Sequence, residues 1–98
     1  MLPKVLPESR IQVFKFWFNG ALQDGTHYSS ELYYRALTVE ANQRTRLYHL
    51  ACKCSEQRAR TLVSVADERC SLWISLRSQM MAAQLLQQRV AGLPRPRL

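Results

Sequence analysis

The chain has 98 residues, is 47% apolar and carries a formal net charge of +7, which suits one small domain with a single core and excludes both a disordered segment and two independent cores. No apolar run approaches the roughly 20 residues of a membrane-spanning helix, and no apolar stretch with a small-residue cleavage site marks a secretory signal, so a reducing, cytoplasmic setting is expected. The charge is lopsided: basic and acidic groups cancel over residues 1 to 43, and the whole excess of +7 falls in residues 44 to 98. That asymmetry points to an anionic partner, with a merely solubilised face as the alternative.

Residues 1–9, with Pro3, Pro7 and no periodicity, read as a flexible lead-in. The run IQVFKFWF that follows is rich in β-branched and aromatic types and is closed by Asn19-Gly20, so it predicts a strand and a type I′ turn, with Ala21 to Gln23 folding back as a short second arm. Alternation places Phe14, Phe16 and Phe18 on one face, expected to be core, and Val13, Lys15 and Trp17 on the other.

Leu32 to Gln57 predicts a long amphipathic helix capped by Ser29 or Ser30. Leu32, Tyr33, Ala36, Val39, Leu47, Leu50, Ala51 and Cys54 gather on one side at the helical repeat, and Thr38, Asn42, Thr45, Arg46, His49, Lys53 and Glu56 on the other. Glu40, Gln43 and Arg44 fall inside the apolar arc and mark a bend or a break into two helices, and Ala36 to Ala41 also fits an alternating strand. Thr61 to Ala66 and Cys70 to Leu76, around a turn at Asp67 and Glu68, predict a hairpin in which Leu72, Ile74 and Leu76 face one way and Trp73, Ser75 and Arg77 the other. Ser78 caps a last predicted helix, Gln79 to Ala91, with an apolar stripe of Met81, Leu85, Leu86 and Val90, stopped by Gly92 and Pro94.

The expected fold is α+β: a small antiparallel sheet of about three strands backed by the long central helix, with a C-terminal helix, in the order β-α-β-β-α. Residues 10–92 form the one domain, and 93–98 a flexible basic tail.

Chemistry is thinly represented. Three glycines, at 20, 25 and 92, cannot write a phosphate-cradling loop. Cys52, Cys54 and Cys70 are an odd number without an export signal and read as free thiols; on a helix Cys52 and Cys54 point about 160° apart and cannot share a metal. Asp67 and Glu68 sit together in a turn, where paired carboxylates are ordinarily solvated. No catalytic residue, cofactor or metal is expected, and the surface remains. Arg44, Arg46, Lys53, Arg58 and Arg60 can form a positive partner-binding patch on and beyond the central helix. Lys15, Trp17, Trp73 and Arg77 interleave cations and aromatics on one sheet face and suit stacking of single-stranded bases, unless the C-terminal helix covers them. The expected function is a non-enzymatic adaptor or regulator docking on an acidic surface of a larger protein. Nucleic-acid binding through the basic second half is the alternative, and self-association through the C-terminal helix is a further possibility.

The segments LYHLACKCSEQ, TLVSV and CSLWISLRS resemble small uncharacterised proteins of cyanobacteria. The resemblance implies a bacterial cytoplasmic setting and carries no activity or site residues.

Overall fold

A computed structural model describes residues 2–78. The predicted C-terminal helix and the basic tail lie outside the described residues, with the stripe Met81, Leu85, Leu86 and Val90. The elements are β1 (Lys4–Pro7), β2 (Phe14–Phe18), β3 (Ala21–Tyr28), β4 (Glu31–Glu40), α1 (Arg44–Glu56), β5 (Thr61–Val65) and β6 (Arg69–Ser75). All six strands belong to one sheet in the order β1-β5-β6-β4-β3-β2, parallel between β1 and β5 and antiparallel elsewhere. The expected three-stranded sheet backed by a long central helix and a C-terminal helix is therefore corrected: the described residues hold a six-stranded mixed sheet and a single α-helix of 13 residues.

The physical reason lies in residues 29 to 43. Ser29 and Ser30 do not cap a helix. They take φ of 51° and 63° and reverse the chain between β3 and β4, a left-handed pair that turn chemistry ordinarily assigns to Asn or Gly. β4 then breaks register between Arg35 and Leu37. That bulge turns Leu37 to the same face as Tyr34, so residues three apart share a side as they would on a helix. Tyr33 packs with Leu62 and Trp73, and Leu37 in the separate cluster under the helix. Glu40, Gln43 and Arg44, which interrupt the apolar arc, mark the passage from strand to helix. Glu40 is still extended, Ala41–Gln43 make a 3-10 turn, and α1 opens at Arg44.

The two hairpins legible from turn residues are present. Asn19 and Gly20 both have positive φ, 53° and 75°, as a type I′ turn needs, and β2 pairs with a β3 longer than the expected three-residue arm. β5 and β6 pair around Asp67 and Glu68. The lead-in is not loose throughout, because Lys4–Pro7 runs parallel to β5.

α1 lies on one face of β4, β5 and β6. Leu47, Leu50, Ala51 and Cys54 meet Leu37, Val39, Val63, Cys70, Leu72 and Ile74. β6 is central and buried on both sides. β1 and β2 occupy opposite edges, so residues 8–13 must cross the face away from α1. Glu8 reaches Ser64 and Arg35, Ile11 packs against the Tyr33, Leu62 and Trp73 cluster, and the Gln12 carbonyl accepts a hydrogen bond from Thr26 Oγ1 at 2.9 Å. The Phe row of β2 belongs to neither core cluster and is only half-buried, contrary to its expected core placement.

Candidate functional site

The C-terminus of α1 is built by a Schellman closure. The Ala59 N–H donates to the Cys54 carbonyl at 3.0 Å and the Arg58 N–H to the Ser55 carbonyl at 2.9 Å, which satisfies two otherwise orphaned carbonyls. That closure requires a left-handed residue after the helix. Arg58 supplies it at φ 65°, where glycine is the usual occupant because a Cβ crowds the neighbouring carbonyl. Buried Ala59 then turns the chain into β5.

Arg58 thereby stands at the rim of a cleft of about 610 Å³ between the end of α1, the β1–β5 edge and the β3–β4 turn. Tyr33 and Leu62 form its buried apolar floor, Tyr28 its half-buried wall, and Lys4, Arg58 and Arg60 its exposed rim. Glu31 is the acidic group beside it. Its carboxylate is largely buried and is met by Arg60 Nη1 at 3.3 Å and by Arg77 Nε at 3.7 Å. The Tyr33 phenol is pushed above its ordinary value, first by burial and then by Glu31, with Arg60 opposing; it is a neutral hydrogen-bonding group at physiological pH.

The five expected patch residues divide into two places. Arg58 and Arg60 share the cleft. Arg44 and Arg46 sit in the first turn of α1, about 20 Å away along a helix of this length, where Arg44 lines a separate groove with Val5, Tyr48 and Val63. Lys53 is exposed on the helix and faces Glu56 at 3.7 Å.

The four platform residues are not brought together. Trp73 is fully buried, donates its indole N–H to Ser64 Oγ at 2.8 Å and lies under the Arg35 guanidinium at 4.4 Å. Trp17 is exposed on β2, three strand spacings away, Lys15 is paired with Asp24, and exposed Arg77 reaches toward Glu31. A buried indole cannot stack on a base.

Sequence reasoning missed Lys4, Tyr28, Tyr33 and Glu31. They converge only because β1 pairs in parallel with β5 and because β3 and β4 reverse at Ser29-Ser30, and neither event has a local signal.

Burial keeps two of the thiols, Cys54 and Cys70, in the protonated form. Cys54 is buried and pushed up to about 11, and Cys70 is raised by burial with Arg44 opposing. Among the described residues no three His, Cys, Asp or Glu side chains gather to hold a metal ion, and no helix is long and apolar enough to cross a membrane.

Among the described residues the fold is of the α+β class, one six-stranded mixed sheet covered by one α-helix. In comparisons with known proteins, the chain matches no protein-family model, no curated protein and no solved structure.

Proposed function

We propose that this chain is a small non-enzymatic interaction protein, an adaptor or regulator, which docks on an acidic surface of a larger protein through the cleft at the end of α1. One observation carries the reading: an arginine occupies the left-handed closing position of α1, where glycine costs less, and this residue stands on the rim of the cleft. A cation held there despite a conformational penalty is suited to recognition. Lys4 and Arg60 share its rim, and the tyrosine and leucine surfaces beneath provide apolar contact for a segment whose carboxylates the cations meet. The working compartment is a reducing cytoplasm, which suits three free thiols.

Affinity purification with the full chain at low salt tests this. A protein partner with an acidic surface is expected, retained less as salt rises and less by Arg60→Gln. Binding to generic oligonucleotides with a steep salt dependence, and no protein recovered, would transfer the function to nucleic-acid recognition instead.

A further inference from the structure

We infer that β2 is a pairing edge, and that its partner is β2 of a second copy of this chain, running antiparallel about a two-fold axis at Phe16. The two edges of the sheet are defended unequally. β1 is four residues long, follows Pro3, ends in Pro7 and carries Lys4, and short length, proline and lysine are the devices that keep sheet edges from pairing. β2 has no proline and no register break against β3, and its side chains are Phe, Lys, Phe, Trp and Phe.

Both faces of this edge offer apolar surface. Trp17 is 72% exposed beside its cross-strand neighbour Leu22 at 61%. On the opposite face Phe14, Phe16 and Phe18 stand ring against ring, with centroids 6.0 and 5.7 Å apart, outside the cluster that α1 covers. Gly25, opposite Phe14, makes room for them: a Cβ there would lie 2.7 Å from the Phe16 ring and 2.9 Å from that of Phe14.

The ladder restricts the register. A two-residue turn at Asn19-Gly20 makes Phe18 and Ala21 a hydrogen-bonded pair, so the alternate residues Lys15 and Trp17 direct their backbone N–H and C=O groups outward. A second antiparallel copy must match outward residues with outward residues. An axis at Lys15 would oppose two ammonium groups. An axis at Phe16 sets Lys15 against Trp17 of the second copy, Phe16 against Phe16 and Phe14 against Phe18, so that cation meets indole and rings meet rings with no like charges opposed. Asp24, paired with Lys15, holds the ammonium on that face. Trp17, the most exposed of these rings, contributes most of the newly buried apolar surface, and the half-buried Phe14, Phe16 and Phe18 add what they still expose to the backbone hydrogen bonds of the ladder.

Sedimentation equilibrium of the full chain should show a monomer–dimer equilibrium at micromolar concentration. Trp17→Lys sets a second ammonium against Lys15 and should weaken the dimer by more than about tenfold, whereas Trp17→Glu, whose carboxylate faces that ammonium, should keep more of it. Residue 17 is exposed, so both variants should fold, which circular dichroism checks. Amide exchange adds an independent readout: the Lys15 and Trp17 amides should gain protection as concentration rises. A chain that stays monomeric, a dimer indifferent to Trp17→Lys, or equal loss with Lys and Glu would overturn the pairing.

Discussion

On the function proposed above, Arg58 is poor for the fold and useful at the surface. Its φ of 65° places a Cβ where the backbone disfavours one, at a cost of roughly 1 kcal/mol relative to glycine. Arg58→Gly is accordingly expected to stabilise the protein by about 1 kcal/mol in urea unfolding while weakening capture of the acidic partner. A variant both less stable and undiminished in binding would remove the argument from strain. Cys54 has the opposite balance: it is buried wholly for packing, and burial pushes its thiol from 9.0 up to about 11. The unfolded thiol ionises first, so the stabilising difference is complete below about pH 9 and is lost as pH rises toward 11, at most about 3 kcal/mol in all. Cys70, Tyr33 and Tyr34 are raised in the same direction. Unfolding midpoints between pH 8 and 11 should therefore decline in the native chain, and less steeply in Cys54→Ala, which starts lower because it leaves a cavity.

At the scale of elements, β6 carries the fold's main polar commitment. Its Ser71 accepts a hydrogen bond from Arg35 Nη1 at 2.7 Å and bonds Thr38 Oγ1 at 2.9 Å, while Trp73 is tied through Ser64 to Glu8. Arg35 also meets Asp24 at 2.9 Å and Glu8 at 3.4 Å, and so joins β3, β4, β6 and the crossing segment in one network. Removing only the cation leaves two half-buried carboxylates short of their partner. Arg35→Leu should destabilise by about 2 kcal/mol, less than a fully buried pair would lose because this network is partly solvated; an unchanged urea midpoint would show that the network is neutral to stability. The β5–β6 and β2–β3 hairpins were legible because Asp67-Glu68 and Asn19-Gly20 are turn chemistry between β-branched or aromatic runs. β4 was not legible, since its bulge mixes the strand period with a helical one.

Across the whole molecule, the chain begins on one sheet edge and reaches the other within residues 8–13, so the first strand closes contacts with Thr61–Val65. Deletion of residues 1–7 should therefore do more than trim an end. It removes Lys4 from the cleft rim and exposes the edge of β5, and we expect a lower unfolding midpoint, weaker capture of the acidic partner and increased aggregation as measured by light scattering. If the truncated chain matches the parent in all three, β1 contributes nothing to fold or site.

Features that rest on neighbours along the chain were legible from the residues alone: the two tight hairpins, the apolar stripe of α1 from Leu47 to Cys54, the free thiols and the concentration of positive charge in the second half. Part of the cleft, Arg58 and Arg60, was visible in the same way as cations following a helix. Tertiary structure alone decided the rest. Whether Leu32 to Glu40 is strand or helix depends on β3 and β6 supplying ladders on both sides. Whether Trp73 is a platform or core depends on the crossing segment and Arg35 lying over it. Lys4 and Arg58, more than fifty residues apart in sequence, share a rim only because β1 docks parallel to β5. Local propensity encodes a turn or a face; a parallel pairing has no local signature, because its stabilisation comes from segments brought together only when the whole chain has folded.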